Sequence, residues 1–382
     1  MRLLCVHQGY ELYGSDRSFI SAVAALRRRF PDADIETKIP AEGPIVPFLT
    51  RHSSRVIIEP LWILRRRRLA RILTKGLLIF PLSFARAVRN IRKRDLVYIN
   101  TLTVLDYLLA AMFFRRKSLL HVREIPTGFG GYAIRFLVRL ARVPTIFNSL
   151  ATRDAFSPTR RVPSYVLYNG YDGPACFEVP RYSQDRRLRI LMLGRINSWK
   201  GQDLLIEACS NLPPSIKMAL DVRIVGGSFE SNIELEQSLH SLVERGGCND
   251  CVFFEPFTSE PAKWYEWCDL VVVPSRLPEP FGRVPIEAMS FARGAVVAAF
   301  GGLVETVQHG VTGWHVTPND PQALAQALGR AALEPRWVAL FGRNARSCYE
   351  ANFRQEIVDA KFLAIIQERL ASAHSWMTAR QS

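Results

Sequence analysis

Short apolar runs recur along the whole chain, and each is followed by a loop rich in glycine, proline or polar residues. In the run Leu270–Val273 every side chain is apolar, a Pro-rich segment follows it, and a helical pattern begins near Gly282. Runs of this length predict strands that are buried on both faces, as in parallel sheets, with crossover helices between them. The chain is therefore predicted to consist of repeated α/β units.

The predicted strands fall into two groups, one in each half of the chain. They are Met1–His7, Leu96–Asn100, Leu119–Val122, Thr145–Ser149 and Tyr165–Tyr168, followed by Arg189–Leu193, Val222–Gly227, Val252–Glu255, Leu270–Val273, Ala295–Ala298 and Gly313–Val316. A polar, linker-like segment at 179–187 separates the groups. We therefore predict a first domain over 1–180, a second over 181–355, and a C-terminal helix over 356–382 that packs back on the first domain.

The composition allows two cores and favours an anionic partner. With 382 residues, of which 48% are hydrophobic, the chain is long enough for two domains. A net charge of +15 is typical of proteins that bind nucleic acid, an anionic membrane surface or phosphorylated small molecules. The densest basic clusters, at 27–29, 65–68, 92–94 and 115–117, all lie in the first half.

One stretch of the first half mixes these basic residues with large apolar ones. Within 60–94, Trp, Leu, Ile and Phe are interspersed with arginine and lysine, and 111–120 and 133–142 continue the pattern. Such a composition favours a helix lying in an anionic lipid interface, where each cation adds about 1 kcal/mol. The alternative is a domain-surface helix with solvated cations.

Cysteines and hydropathy indicate a cytoplasmic protein, which we expect to be peripheral at the inner face of the cell membrane. The seven cysteines are scattered, no signal peptide is recognisable, and no run reaches the roughly 20 apolar residues of a membrane span. Cys248 and Cys251 are interpreted as a chance pair in a turn rather than a zinc site. The Asp-x-Asp segment at 32–34 is interpreted as a surface turn, so no metal site is predicted.

Charged residues follow two of the predicted strands in the second half. Arg195 and Lys200 lie on one glycine-flanked loop, where two cations can close on a diphosphate. Glu279 precedes the helix that begins near Gly282, and Glu287 lies inside it. Ligands of open α/β sheets bind at the carboxyl ends of strands, where a helix N-terminus favours anions. The alternative is a loop carboxylate and a solvated helix carboxylate.

Two glycine loops stand out in the first half. The segment 8–14 enters a helix from Ser15 to about Arg29, where it can hold a phosphate or a sugar, or serve simply as a βα turn. The segment 128–133 satisfies Gly-x-Gly-x-x-Ala, but no acidic residue ends the following strand. We interpret it as a flexible loop before a helix at 133–142.

Four segments carry a resemblance to a known family. They are Asn-Gly-Tyr-Asp at 169–172, Gly-Arg to Lys-Gly at 194–201, Glu-Pro-Phe-Gly to Glu-Ala-Met at 279–289, and Gly-Gly-Leu-Val-Glu to Gly-Val-Thr-Gly at 301–313. In order and spacing they resemble the family 4 retaining glycosyltransferases of bacterial polysaccharide and lipid-linked glycan synthesis. That resemblance implies the GT-B fold, in which two Rossmann-like α/β domains face a central cleft. In the first half it is confined to 14–18 and 95–100.

The resemblance implies a role for each matched residue. The implied donor-binding residues are Gly14, Arg195, Lys200, Phe281, Gly282, Arg283 and Glu287. Arg195 and Lys200 match positions that hold the donor diphosphate, and Glu287 matches the one that binds the ribose. Glu279 and the backbone at 281–282 match the group that holds the transferred sugar, and the implied catalytic residues are Glu279, Arg195 and Lys200.

A segment of the first half departs from the family pattern. The family often has a His-x-His-Glu-like segment near the sugar, and the corresponding segment here is His121-Val122-Arg123-Glu124. Arg123 therefore stands where the usual histidine would be. The resemblance leaves open whether His121 or Arg123 contributes to catalysis.

The expected reaction is retaining, metal-independent transfer of a sugar from a UDP- or GDP-linked donor to a lipid-linked, oligosaccharide or polysaccharide acceptor of the cell surface. The donor is the substrate, and no cofactor is expected. Two cations and a helix N-terminus can stabilise the leaving diphosphate, which can itself accept the acceptor's proton.

Three other classes remain as alternatives. A sugar-nucleotide epimerase could share the fold, and a basic nucleic-acid or membrane-binding protein without catalysis would explain the charge. No nucleic-acid reading motif is recognisable, so nucleic acid is not an expected partner. A glycoside hydrolase would use two carboxylates but has no use for the loop with Arg195 and Lys200.

Overall fold

The computed structural model describes residues 1–12, 14–64, 77–159, 161–227 and 233–378, and these form two compact units. The first unit comprises Met1–Gly170 together with Glu356–Ser382, and the second comprises Tyr171–Gln355. The units divide at 170, whereas the linker-like segment led us to expect a boundary at 180. Each unit has its own parallel sheet, so the prediction of two α/β domains is confirmed.

The sheet of the first unit has seven parallel strands in the order β3-β2-β1-β4-β5-β6-β7. The strands are β1 (Arg2–His7), β2 (Asp34–Ile39), β3 (Arg55–Ile58), β4 (Leu96–Asn100), β5 (Ser118–Val122), β6 (Thr145–Phe147) and β7 (Ser164–Val166). The strand order reverses direction between β1 and β4. That point is where doubly wound sheets bind ligands.

The sheet of the second unit has six parallel strands in the order β10-β9-β8-β11-β12-β13. The strands are β8 (Leu188–Leu193), β9 (Leu220–Val225), β10 (Val252–Glu255), β11 (Leu270–Val273), β12 (Gly294–Ala298) and β13 (Gly313–Val316). Here the order reverses between β8 and β11. The loops that carry the expected site residues follow these two strands.

Helices connect the strands of both sheets. In the described residues they are α1 (Gly14–Arg29), α2 (Val46–Thr50), α3 (Leu77–Arg92), α4 (Leu105–Ala111), α5 (Gly128–Ala141), α6 (Leu150–Phe156), α7 (Gln202–Ser210), α8 (Pro214–Met218), α9 (Ile233–Arg245), α10 (Ala262–Trp267), α11 (Arg283–Ser290), α12 (Leu303–Thr306), α13 (Pro321–Leu333), α14 (Arg336–Asn352) and α15 (Gln355–Thr378). A short 3₁₀ turn covers Arg115–Lys117. None of the described helices is long and apolar enough to cross a bilayer.

Alternating side chains of the first sheet enter two separate cores. Cys5, Tyr98 and Leu119 lie in the core that includes residues of α1 and α15, whereas Val97 and Leu120 lie in the core on the opposite face. Both faces are therefore buried, which explains why these strands are apolar throughout rather than alternating.

Three expectations for local structure need correction or restriction. The glycine segment 128–133 is not a flexible loop, because α5 already begins at Gly128. Gly131 packs against Pro126, where an added Cβ would lie 2.7 Å from the backbone oxygen, so the segment is fixed by a close contact.

The basic run 65–68 and most of the interfacial segment around it lie outside the described residues. Asp32 lies in a turn, but Asp34 opens β2 and pairs with Arg94 at 3.0 Å.

Candidate functional site

Most of the expected site residues lie at the carboxyl edge of the second sheet. β8 and β11 are hydrogen-bonded neighbours, and the loops that follow them contain Lys200 and Glu279. The helix α11 begins directly after the second of these loops. The fold therefore brings together two segments that are far apart in the sequence, at the edge where such sheets bind ligands.

Lys200 and Glu279 form an ion pair at this edge. Nζ of Lys200 lies 2.7 Å from Oε1 of Glu279, and the hydroxyl of Ser275 donates to the same oxygen at 2.5 Å. The Glu279 side chain is only 9% exposed, so its charge must be stabilised by the ion pair with Lys200 and the hydrogen bond from Ser275. Nζ of Lys200 also lies 4.6 Å from the centre of the Trp199 ring, which is a cation–π contact.

The loop that carries Lys200 is shaped by local hydrogen bonds and by glycine. Oδ1 of Asn197 accepts the backbone N–H groups of Trp199 and Lys200, at 3.1 and 3.0 Å. Gly201 has φ +81°, and a Cβ there would lie 2.1 Å from the carbonyl oxygen of Pro274. Only glycine fits this position, and its close approach keeps the two loops together.

Arg195, the other expected cation, is half-buried directly after Gly194. Nε2 of Gln202 donates to the backbone carbonyl oxygen of Arg195 at 3.0 Å. The first residue of α7 therefore fixes the start of the loop, while Lys200 lies close to its end. Both cations belong to one short loop, and their joint contact with a diphosphate stays a prediction.

A pair of glycines supports the loop before α11. The N–H of Gly302 donates to the carbonyl oxygen of Glu279 at 2.7 Å, and Cβ atoms on Gly301 or Gly302 would lie within 2.5 Å of Glu279 or Phe281 backbone atoms. Gly282 has φ +87° and precedes the first residue of α11. These glycines allow the chain to turn sharply and expose the first N–H groups of α11.

Phe281 contributes through its backbone rather than its side chain. The ring is 2% exposed and packs edge-on against Phe353, with ring centres 6.2 Å apart. The side chain therefore anchors the loop in the core of the second unit. The expected contact of the backbone at 281–282 with the transferred sugar stays a prediction.

Glu287 has two partners on neighbouring elements. It accepts a hydrogen bond from the hydroxyl of Tyr265 at 2.9 Å and one from Nε of Arg283 at 3.2 Å. Burial and the adjacent Glu287 carboxylate hold the pKa of Tyr265 well above its usual value, so the phenol stays protonated and donates. Glu287 and Arg283, which were both expected to bind the donor, are therefore a second pair at this edge.

The carboxyl edge of the first sheet has a different polar cluster. His7, Asn100 and His121 lie side by side at the register positions that end β1, β4 and β5. Nδ2 of Asn100 donates to Nδ1 of His7 at 2.9 Å, and Nε2 of His7 lies 2.7 Å from Oδ1 of Asp16. His7 is therefore the Nε2–H tautomer, held between β4 and the first turn of α1, which begins at Gly14.

Arg123 and His121 lie on the other side of Asn100. Nε of Arg123 donates to Oδ1 of Asn100 at 2.7 Å, and Nη1 donates to Oδ1 of Asn169 at 2.5 Å. The Tyr98 hydroxyl lies 2.7 Å from Nδ1 of His121. Burial and the nearby Arg123 guanidinium hold the pKa of His121 well below its usual value, so this imidazole is uncharged.

The sequence pattern did not identify the residues that organise these two edges. Ser275 and Tyr265 hold the two carboxylates of the second unit, and His7, Tyr98 and Asn100 form the cluster of the first unit. The available signal was a polar residue at the end of an apolar strand, as at His7 and Asn100. Such a residue is buried beneath the loop that follows rather than solvated.

Within the described ranges, no group of three or more His, Cys, Asp or Glu side chains is placed to share a metal ion. The pair Cys248 and Cys251 lies at the turn before β10, and both side chains are buried as free thiols.

Comparison with known families matches the second unit. The family model described as glycosyl transferases group 1 matches residues 180–347. D-inositol 3-phosphate glycosyltransferase of Frankia alni is 38% identical over 153 residues, which are 39% of this chain and 37% of that protein. The enzyme of the same name from Streptomyces griseus is 37% identical over 160 residues, or 41% of this chain and 34% of that protein. The match therefore spans little more than a third of these curated relatives.

Solved structures match almost the whole chain. HepE from Anabaena in complex with UDP is 25% identical, with a TM-score of 0.79 over 96% of this chain and 100% of that one. The same protein in complex with UDP-glucose gives a TM-score of 0.76 over 96% of this chain and 100% of that one. Sucrose-phosphate synthase from Thermosynechococcus elongatus, 19% identical with a TM-score of 0.74 over 97% of this chain and 100% of that one, shares the fold. The two sheets and their strand orders thus match a GT-B fold.

Proposed function

We propose, on the premise that the chain belongs to the group 1 glycosyltransferases of the GT-B fold, that it transfers a sugar from a nucleotide-diphosphate sugar to an acceptor with retention of configuration. The observation that carries the proposal is the Lys200–Glu279 pair at the carboxyl edge of the second sheet, beside the N-terminus of α11. A cation, a carboxylate and a helix N-terminus at one edge are what a sugar diphosphate requires.

Lys200 and Arg195 act on the leaving group. Cleavage of the bond between the anomeric carbon and the phosphate increases the negative charge on the diphosphate. Lys200 uses one of its N–H bonds for Glu279, which leaves two of its three donors for phosphate oxygens. The cations and the N-terminal N–H groups of α11 are in place before the charge develops, and such preorganised donors stabilise the transition state most.

The two carboxylates act on hydroxyl groups. Glu279 is held by Ser275 and Lys200 and accepts hydrogen bonds from the transferred sugar. Glu287 is held by Tyr265 and Arg283 and accepts hydrogen bonds from the ribose. Because charge-assisted hydrogen bonds are about twice as strong as neutral ones, both carboxylates increase affinity for a polyhydroxylated ligand.

Retention needs no separate base in this scheme. The leaving diphosphate takes the proton from the acceptor hydroxyl as the new bond forms on the same face of the sugar. We propose that the reaction is metal-independent, because Lys200, Arg195 and the α11 N-terminus supply the positive charge. Activity should survive EDTA, and a strict requirement for Mn²⁺ or Mg²⁺ would contradict this part of the proposal.

The donor is tested first with UDP-sugars, because the similar protein HepE was solved with UDP and with UDP-glucose. A panel of UDP-, GDP- and dTDP-sugars is incubated with the protein and with its Lys200→Ala variant. We expect one class of donor to be turned over and the variant to lose about 10²–10³-fold of that turnover, as for other preorganised charge-stabilising groups.

The matched control is Lys263→Ala, which removes an exposed lysine of the same unit and should leave turnover unchanged. Unchanged turnover in a folded Lys200→Ala variant would contradict the site assignment. Incubation with the donor alone separates the alternatives, because an epimerase would convert the sugar without an acceptor.

The acceptor side of the proposal rests on an exposed apolar stripe of the first unit, defined as Tyr132, Phe136 and Leu140 of α5. These side chains are 68%, 68% and 51% exposed and recur every fourth residue, so they share one face of the helix. Arg135 stacks on Tyr132 at 4.4 Å, and Arg139 is exposed nearby. Aromatic and aliphatic side chains flanked by arginine favour an anionic lipid interface.

We therefore propose that the protein works at the cytoplasmic face of a membrane on a lipid-linked or membrane-proximal glycan. The net charge of +15 and the basic run 65–68 support this proposal. In liposome flotation, the protein should bind anionic vesicles, and binding should fall with salt. Replacing Phe136 by Ser, or Arg65 to Arg68 by Gln, should reduce flotation, whereas Phe257→Ser in the second unit should not. A protein that stays in the soluble fraction at low salt would contradict the membrane proposal alone.

A further inference from the structure

Arg123 is a half-buried cation without a carboxylate partner. Within the described residues no Asp or Glu oxygen lies within ion-pair distance of its guanidinium, and its nitrogen atoms instead contact Asn100, Asn169 and His121. Withdrawing a charge from water without an opposite charge costs several kcal/mol. A half-buried guanidinium without an ion-pair partner therefore needs an explanation other than the stability of the fold.

Two other arginines of the same unit have carboxylate partners. Arg94 is paired with Asp34 and Glu36, and Arg28 is paired with Asp359. Glu124, which directly follows Arg123, accepts a hydrogen bond from the backbone N–H of Arg123 at 3.1 Å. Burial raises the pKa of Glu124 to about 7, so this carboxyl carries only part of its charge near neutral pH.

The guanidinium is nevertheless held rigidly. Asn100 and Asn169 accept from two of its nitrogen atoms, and Asn100 is itself fixed by donating to Nδ1 of His7. Of the five N–H donors of an arginine, these two, the contact with His121 and a hydrogen bond to the Tyr98 hydroxyl use four. One donor of a fixed planar group therefore remains for an oxyanion.

His121 supplies an independent observation that points to a ligand. It is 2% exposed, and its Nε2 has no hydrogen-bond partner among the described residues. Nδ1 lies 2.7 Å from the Tyr98 hydroxyl and 3.3 Å from Nη2 of Arg123, which can only donate, so Nδ1 is the acceptor and Nε2 carries the proton. A buried N–H without an acceptor costs about 1–3 kcal/mol, which a ligand oxygen would recover.

We propose that Arg123, with His121 beside it, forms an anion-binding site at the carboxyl edge of the first sheet that takes a phosphate group of a substrate. The inference rests on the proposed glycosyl transfer only for the identity of the substrate that carries the phosphate. The binding of an anion by Arg123 and His121 does not depend on it. Donors without acceptors select an oxyanion, and arginine supplies permanent charge where the resembled family has a histidine. The phosphate belongs either to the acceptor or to the donor diphosphate.

The test measures binding of inorganic phosphate by calorimetry, with and without saturating UDP. The variants are Arg123→Gln and Arg123→Lys, and the matched control is Arg51→Gln, an exposed arginine of the same unit. Wild type and the control should bind phosphate saturably. Arg123→Gln should weaken binding at least tenfold, and Arg123→Lys should weaken it less because the charge remains. Thermal unfolding checks each variant, and Arg123→Lys replaces Arg123→Gln if the latter does not fold.

Two outcomes support the site and identify the source of the phosphate. Binding that persists in the presence of UDP and depends on Arg123 assigns the anion to the acceptor. Competition between phosphate and UDP, with weaker UDP binding by Arg123→Gln, assigns it to the donor. Unchanged affinity of a folded Arg123 variant for both phosphate and UDP would overturn the proposal. Loss of UDP binding by the Lys200→Ala variant alone tests the proposed donor site. It neither supports nor contradicts the anion site at Arg123.

Discussion

The carboxyl edges of the two sheets position their polar side chains in different ways. In the second unit, opposite charges meet in pairs, Lys200 with Glu279 and Arg283 with Glu287. In the first unit, the nitrogen atoms of Arg123 contact the uncharged side chains of Asn100, Asn169 and His121. A ligand with both phosphate and hydroxyl groups can replace each partner of a charge pair, so the second edge remains satisfied with or without the ligand.

The first edge is satisfied only in part. Its neutral hydrogen bonds fix the direction of Arg123, but they do not balance its charge, and Nε2 of His121 has no partner in the described residues. In the second edge, a ligand can therefore replace the partner of each charged side chain. In the first edge, the neutral hydrogen bonds hold the Arg123 guanidinium in a fixed position for an anion. The following predictions, from the largest effect to the smallest, test this difference.

Removal of Glu287 should give the largest effect, because it removes one side of a charge pair. We expect Glu287→Ala to lower kcat/KM with the donor by about 100-fold, or about 2.7 kcal/mol, through lost hydrogen bonds to the ribose. The structure adds that the Tyr265 hydroxyl would lose its acceptor. Glu287→Gln keeps an acceptor for Tyr265 and should show a smaller loss with normal unfolding, and Glu260→Ala is the exposed control.

If Glu287→Ala keeps wild-type kcat/KM, the second edge is not a donor site. If Glu287→Gln loses as much as Glu287→Ala, the charge of the carboxylate rather than its hydrogen-bonding shape explains the effect. UDP binding measured on the same variants separates affinity from catalysis.

Gly302→Ala tests the backbone that supports the charge pairs. The added methyl group would lie 2.5 Å from Cα of Phe281 and 2.7 Å from the carbonyl oxygen of Pro280, so the loop before α11 must shift. We expect a loss of about 1–3 kcal/mol in the free energy of unfolding and a displaced Glu279. Gly227→Ala, whose methyl group would lie 3.4 Å from Cβ of Phe257, is the control. Equal stability of the two variants would show that the glycine contact is unimportant.

The pH dependence of stability tests the first edge. Burial raises the pKa of Glu124 from 4.5 to about 7, against the opposing effect of the hydrogen bond from the Arg123 backbone. Between these values the folded state keeps a proton that the unfolded state has lost, so the free energy of unfolding falls as pH rises. Glu124→Gln should therefore lose less stability than wild type between pH 5 and pH 8, by about 1–2 kcal/mol after allowance for partial solvent contact.

Denaturant unfolding of both proteins at the two pH values measures this difference. Parallel pH profiles would show that Glu124 ionises as easily in the folded state as in the unfolded one. In that case Arg123 would have a fully charged carboxylate beside it, and the contrast between the two edges would weaken.

Gly130→Ala should give the smallest effect on the free energy of unfolding, and this effect should be stabilising. Gly130 lies on the exposed face of α5 and has no atom within 4 Å of an added Cβ. Alanine is favoured over glycine in a helix, so we expect a gain of about 0.5–1 kcal/mol in the free energy of unfolding. Gly131→Ala should destabilise instead, because its Cβ would meet the backbone of Pro126. A loss in Gly130→Ala would mean that this glycine, like Gly302, serves a geometric purpose.

The sequence predicted much of the second edge because its signals are local. Lys200 and Gly201 share one loop, and Gly282 directly precedes α11, in which Glu287 lies just over one turn from the start. Positive φ angles favour glycine, as at Gly201 and Gly282, so such residues indicate a sharp turn without knowledge of the fold. The alternating α/β pattern is local in the same sense, since burial on both faces makes each strand apolar.

Only the tertiary structure decided which side chains meet. Lys200 and Glu279 are 79 residues apart, and His7 and Asn100 are 93 residues apart. Their contacts follow from the order of strands in each sheet, which no single segment specifies. The absence of an ion pair to the Arg123 guanidinium in the described part of the chain has the same origin, because only packing shows which groups surround a half-buried charge. A local sequence therefore fixes which conformations a segment can adopt, whereas the charge balance of a site depends on neighbours that long-range strand pairing supplies.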